Sequence, residues 1–257
     1  MELYTLHLFA GAGGGILGDL LLRHTPIGAV EIEAYPRKVL LQRQLDGILP
    51  RFPIWDDVCT FRKDNPDCQD YINRLITIRG KLCICGGFPC QDVSCAGKGA
   101  GIEGERSGLW KEYARIISEI RPAYAFVENS PMLVSRGLGR VLADLAAMGY
   151  DARWGVFSAA DAGARHLRER IWVLASHAMH KRLEGCVRRA EFGLQQMDKL
   201  ASLHSFPQNE NDLPTPVLLG SGHGMANYVD RIRAIGNGQV PACVAMAWKI
   251  LNPENDG

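Results

Sequence analysis

A cysteine stands just past a short apolar run, in the segment Gly86-Gly87-Phe88-Pro89-Cys90-Gln91-Asp92-Val93-Ser94. If Leu82 to Cys85 is a strand, Cys90 sits at the mouth where open α/β sheets bind ligands. A thiol there is a nucleophile once its thiolate is favoured, and Lys98 and nearby backbone amides would favour it. The chain continues into Gly97-Lys98-Gly99-Ala100-Gly101, a flexible stretch able to close over a substrate. Glu128 ends another apolar strand, where a charge is rarely buried without a partner. Arg168 and Arg170 are two residues apart, and alternation within a strand would put both on one face.

A second chemical feature lies at the start of the chain. Leu8-Phe9-Ala10-Gly11-Ala12-Gly13-Gly14 follows an apolar run and opens a helix. Glycines let the backbone approach a ligand, and a helix N-terminus favours polar or anionic groups. Glu31, at the end of the next apolar run, is placed to bind ribose hydroxyls. Asp57 could bond an adenine amino group, although Asp56 and Asp57 read equally well as a solvated turn. Dinucleotide-binding folds share this style of turn, so a nicotinamide dehydrogenase is its generic reading.

The elements that must carry these residues alternate. Strands are expected over Leu3 to Ala10, Ile27 to Ile32, Leu82 to Cys85, Ala123 to Val127, Tyr150 to Ser158 and Ile171 to Ala175. Helices are expected over Ile16 to Arg23, about Tyr35 to Leu45, Leu109 to Ile120, Gly137 to Met148 and about Pro241 to Leu251, with Pro122 stopping the third. This alternation implies a largely parallel sheet covered on both faces. From His177 to Met225 the chain turns polar and weakly periodic. It reads as an insertion dividing a core over residues 1–176 from a returning segment over 226–257.

Composition bounds the function class. The 257 residues are 47% hydrophobic and 22% charged, with a formal net charge of +1, so the total announces no polyanion partner. Between Arg153 and Arg189, however, eight basic side chains face three acidic ones, a local excess that could pair with phosphates. No apolar run reaches membrane-spanning length, and the first residues lack the pattern of a signal peptide, so a cytoplasmic chain is expected. The eight cysteines are then expected as free thiols. Cys83, Cys85, Cys90 and Cys95 lack a matching downstream pair, so no metal is expected, and Cys83 and Cys85 read as core.

The motifs resemble those of the DNA cytosine-5 methyltransferase family, in the family's usual order. Gly-Gly-Phe-Pro-Cys-Gln at 86–91 resembles its catalytic motif, and Phe9 to Gly14 its first cofactor motif. Arg106-Ser107-Gly108-Leu109-Trp110 is similar to the motif after the catalytic loop, and Phe126-Val127-Glu128-Asn129 to the next. Leu167 to Trp172 resembles the double-arginine motif, and Ile235 to Pro241 the last one, which returns the chain to the cofactor site.

The resemblance implies a Rossmann-like, S-adenosylmethionine-dependent fold with a mixed, mostly parallel sheet and a small target-recognition insertion. It implies that Cys90 attacks carbon 6 of a flipped cytosine, that Glu128 holds or protonates ring nitrogen 3, and that Arg168 and Arg170 stand near the 2-keto oxygen. S-adenosylmethionine would be held by Phe9, Ala10, Gly11, Gly13, Gly14, Glu31, Ile32, Asp57, Val58, Pro89, Asn237 and Val240. Double-stranded DNA would meet Gln91, Ser94, Lys98, Arg106, Arg165, Arg182 and Arg188. The short insertion resembles compact phage or restriction-modification enzymes. It implies a monomer that reads a short sequence in a bacterial or phage-infected cell, with or without a restriction endonuclease partner.

The chain departs from the family at His7, His166, Ser130 and Gly238. Two rival readings are a tRNA cytosine-5 methyltransferase and a non-catalytic DNA-binding relative.

Overall fold

The computed structural model describes residues 3–89, 109–179, 185–186, 236 and 238–252. The strands are β1 (Tyr4–Leu8), β2 (Thr25–Val30), β3 (Ile54–Trp55), β4 (Leu82–Gly87), β5 (Tyr124–Asn129), β6 (Tyr150–Phe157), β7 (Arg170–His177) and β8 (Gly185–Cys186). They form one sheet in the order β3-β2-β1-β4-β5-β7-β6-β8. The run from β3 to β5 is parallel throughout, as strand–helix alternation requires. β7 enters antiparallel between β5 and β6, which makes the sheet mixed.

Helices cover both faces: α1 (Gly14–Leu22), α2 (Ala34–Leu45), α3 (Pro66–Thr77), α4 (Leu109–Ile120), the one-turn α5 (Leu133–Arg136), α6 (Leu138–Ala147) and α7 (Pro241–Leu251). Period-two alternation sorts the strand side chains between them. Leu6 and Leu8, Leu82 and Ile84, Ala125 and Val127, and Ile171 and Val173 point to the face covered by α3, α4 and α6. Cys83 and Cys85, Tyr124 and Phe126, and Trp172 and Leu174 point to the face covered by α7. Glu128 and Arg170 continue these second rows, so both are delivered beside the start of α7.

Several elements differ from the sequence expectation, and three of the differences have a plain local reason. β1 stops at Leu8, because Phe9 has φ 54° and already belongs to the turn. α3 was absent from the expectation, yet its start is marked by Asn65, whose side chain accepts from the Asp67 amide, followed by Pro66. Its buried Cys68, Ile72 and Leu75 carry helical spacing. Finally, β7 begins at Arg170, so Arg168 lies before the strand and the two arginines do not alternate along one strand face.

Of the expected insertion at 177–225, only 177–179 and the strand pair at 185–186 are described. Among the described residues no helix is long and apolar enough to cross a membrane.

Candidate active site

Glu128 is the centre of the site. It sits at the end of β5, only 9% exposed, and its Oε1 accepts from Arg170 Nε at 2.9 Å. Burial pushes its carboxyl up from the ordinary value; the charge of Arg170, the Gln239 hydrogen bond and Arg168 push back without cancelling it. The other carboxylate oxygen lies over Gly87, where any β-carbon would come within 2.2 Å of it. Position 87 must therefore lack a side chain for Glu128 to stand where it does.

Asn129, next along β5, anchors the strand that leads toward Cys90. Its amide nitrogen donates to the Phe88 carbonyl at 3.0 Å, and its side-chain oxygen accepts from the Ser130 amide. Tyr113 on α4 has its hydroxyl within hydrogen-bond reach of the Ile84 and Phe126 carbonyls, holding β4 and β5 from the other face. Pro89, half-buried, is the last described residue of this segment.

Arg168 does something the sequence did not indicate. Its guanidinium donates to the carbonyls of Gly236 at 2.6 Å and Gly238 at 2.9 Å. It thus fastens the loop before β7 to the segment before α7. A small pocket results, lined by Glu128, Phe157, Arg168, Arg170, Trp172, Gln239, Val240 and Cys243. The indole N–H of Trp172 is buried without a hydrogen-bond partner among the described residues. Burial pushes the Cys243 thiol up to about 11, so it is an uncharged wall of the pocket.

The glycine turn and Glu31 lie side by side. Gly13, in the left-handed region, is the N-cap of α1, and no side chain caps that end. Glu31 Oε2 accepts from the Gly11 amide at 2.6 Å and Oε1 from the Glu33 amide at 2.8 Å. Burial nevertheless raises the Glu31 carboxyl, outweighing these two amides. Ile32 is 65% exposed beside it, an apolar side chain that water does not favour. Phe9, Ala10, Gly11 and Gly14 are half-buried around the turn. Val58 is buried, whereas Asp57 closes a turn by accepting from the Cys59 amide at 2.8 Å.

This constellation fits an amino-acid-bearing nucleoside such as S-adenosylmethionine. The uncapped start of α1 suits a carboxylate, Glu31 suits ribose hydroxyls, and Ile32 and Val58 suit the faces of a purine. Arg115 on α4 ties this region to the other motif. It pairs with Glu112 at 2.7 Å and Glu119 at 2.8 Å while donating to the Val58 and Phe61 carbonyls.

Beneath the turn, Asp19 of α1 accepts from Thr5 Oγ1 and contacts His7 Nε2, both at 2.5 Å, with His24 at 3.7 Å. Burial pushes this carboxyl up, but the charge of His7 and the hydrogen bonds from His24, His7 and Thr5 win and hold it at about 2. Cys85 lies close enough to join His7 and Asp19 as a third potential ligand. The direct His7–Asp19 contact is shorter than the separation of two ligands around a zinc ion, so the cluster is hydrogen-bonded rather than metal-built.

Cys90, Gln91, Ser94, Lys98, Arg106, Arg182, Arg188 and Asn237 lie outside the described residues. Arg165 is described and exposed. Gln239, Gly87, Asn129, Arg115 and Cys243 were given no role by sequence reasoning. Gly87, Asn129 and Gln239 lie inside the quoted motifs, which is the signal that could have found them, whereas Arg115 and Cys243 carry none.

Comparison with known proteins identifies the family. The family model for C-5 cytosine-specific DNA methylase matches residues 3–217. The chain is 34% identical over 177 residues to the Type II methyltransferase M.CviJI of Paramecium bursaria Chlorella virus IL3A, covering 68% of this chain and 43% of the relative. It is 30% identical over 170 residues to M.Sau96I of Staphylococcus aureus, covering 65% and 37%. The chain thus spans less than half the length of these relatives. Its fold resembles the crystal structure of the S. pombe Dnmt2 methyltransferase at TM-score 0.54 and 17% identity, covering 83% of this chain and 59% of that one.

Proposed function

Because the chain belongs to the C-5 cytosine-specific DNA methylase family, we propose that it methylates carbon 5 of cytosine in a short DNA sequence, with S-adenosylmethionine as donor. The observation that carries this reading is the Glu128–Arg170 pair at 2.9 Å, whose acid lies on β5, the neighbour of the strand that leads through Phe88 and Pro89 to Cys90. Carbon 5 of cytosine is a poor nucleophile until something adds to carbon 6. In this reading the Cys90 thiolate forms that bond, and the electron pair passes through the ring toward nitrogen 3. Glu128, its carboxyl raised by burial, holds or protonates nitrogen 3 as charge develops there.

In this reading Arg170 keeps Glu128 aimed, and both arginines would stand near the 2-keto oxygen. Arg168 supports the same pocket by clamping Gly236 and Gly238. Bound at the glycine turn, S-adenosylmethionine supplies an electrophilic methyl group to the activated carbon 5. Loss of the carbon-5 proton and expulsion of Cys90 then restore the aromatic ring and the thiolate. The base must leave the helix stack for any of this, since its reacting atoms cannot be reached inside a stacked duplex. For the donor, Glu31 and the Gly11 amide fix the turn, and Ile32 and Val58 offer apolar contact.

The test is incubation with tritiated S-adenosylmethionine and either unmethylated duplex DNA or bulk tRNA, with products mapped by bisulfite sequencing. Label in DNA at cytosines of one short context is the expected result. Label confined to tRNA, or no transfer despite cofactor binding, refutes the proposal.

A further inference from the structure

Gln239 precedes α7 and lies 111 residues from Glu128 in sequence, yet its Nε2 comes within 3.5 Å of Glu128 Oε2. The same residue is wedged against the start of α1. Its carbonyl oxygen would be 2.0 Å from a β-carbon at Gly14, and its side-chain oxygen 2.3 Å from one at Gly15. The two glycines therefore let one residue touch both the donor turn and the carboxylate. Arg168 holds that segment from the other side through the flanking carbonyls of Gly236 and Gly238. We infer that Gln239 is a positioning residue for Glu128, through which the methyl-donor turn and the base pocket share one side chain; this rests on the function proposed above.

An amide suits this place chemically. An ionised carboxylate only accepts hydrogen bonds, so Glu128 needs a donor on the oxygen that Arg170 leaves over. Glutamine offers that donor while its own oxygen stands over Gly15 of α1. Among the described residues, the charged and titratable groups facing Glu128 are Arg170 from β7, Arg168 from the preceding loop and the Cys243 thiol from α7. Gln239 is the neutral member of the set. Its donation favours the ionised form of Glu128, so removing it should keep Glu128 protonated to higher pH.

The experiment compares the full chain with Q239M, which keeps the bulk but removes the donor, and Q239E, which keeps the shape but turns a carboxylate toward Glu128. Single-turnover methylation of duplex DNA is followed across pH, and S-adenosylmethionine binding is measured separately. The limb of the pH profile that disappears in Glu128→Gln is assigned to Glu128. The expected result is a rate loss of about tenfold in Q239M, as for one lost hydrogen bond to a charged group. Donor affinity changes far less, and the Glu128 limb moves up in pH, further in Q239E than in Q239M.

A Glu128 limb that stays in place overturns the inference, whether the rate is normal or falls in parallel with donor binding. Failure of both shape-matched variants to fold overturns it too, since it makes Gln239 a packing residue. The Glu128 titration followed by carbon-13 NMR without DNA gives a readout independent of turnover. A wild-type chain that methylates nothing would sink the proposed function, and this titration would still decide the role of Gln239.

Discussion

Arg170 and Glu128 stand diagonally across the antiparallel β5–β7 pair, with Glu128 in register with Trp172 and the guanidinium Nε 2.9 Å from the carboxylate. Two strands far apart in sequence thus supply a cation and an acid to one face. The diagonal spacing suits a long side chain reaching back along its strand. Because the acid is buried and the arginine partly open to water, the pair is directional rather than strongly stabilising.

Arg170→Gln should therefore cost about 1–2 kcal/mol of stability while lowering methyl transfer by about a hundredfold or more. Urea unfolding and single-turnover kinetics measure the two effects. A rate within a few fold of wild type would remove Arg170 from the site.

Gly87→Ala puts a β-carbon within 2.2 Å of Glu128 Oε2, so the carboxylate must move. A displacement of about 1 Å at a reacting group costs on the order of a hundredfold in rate. Donor binding, measured by titration calorimetry, should remain near wild type, because the displaced group is the acid and not the glycine turn. A variant with full activity would show that Glu128 need not occupy that position.

Arg115→Met removes the guanidinium that holds the Val58 and Phe61 carbonyls and leaves Glu112 and Glu119 without their shared partner. The loop carrying Asp57 and Val58 should loosen. We expect KM for S-adenosylmethionine to rise about tenfold, more than kcat falls, as when one charged hydrogen bond is lost. An equal loss in both parameters, or none in KM, would separate this loop from the donor site.

Asp19→Asn tests the buried cluster under the glycine turn. The carboxyl, held at about 2 in the folded chain, contributes stability that is present above its ordinary value near 3.8. That contribution disappears as pH falls through about 2. The asparagine variant should be less stable at neutral pH by about 2 kcal/mol. It should also lose less stability than wild type on acidification between those two values. Chemical unfolding at a series of pH values checks both, and parallel acid limbs for the two proteins would refute the assignment.

Local chemistry made much of this protein legible in its sequence. Alternating apolar runs foretold strands whose rows face two helical layers, and the sequence placed Glu31 at the end of the second of them, whereas its 2.6 Å hydrogen bond to the Gly11 amide is seen only in the structure. Glu128 and Arg170 were singled out by motifs that resemble the family's, and burial physics added only that a charge ending an apolar strand needs a partner, without saying which. Asn65-Pro66 marks the start of α3 just as plainly, although periodicity in that region is carried by few apolar residues.

What the tertiary structure decided are the pairings between distant segments. That Arg168 clamps Gly236 and Gly238, that Arg115 holds the Val58 loop, and that Gln239 reaches both Glu128 and α1 depend on how helices dock on the sheet. Periodicity determines which face a side chain takes. It carries no information on which of the many residues of another element that face will meet, because that is settled by the packing of the whole core.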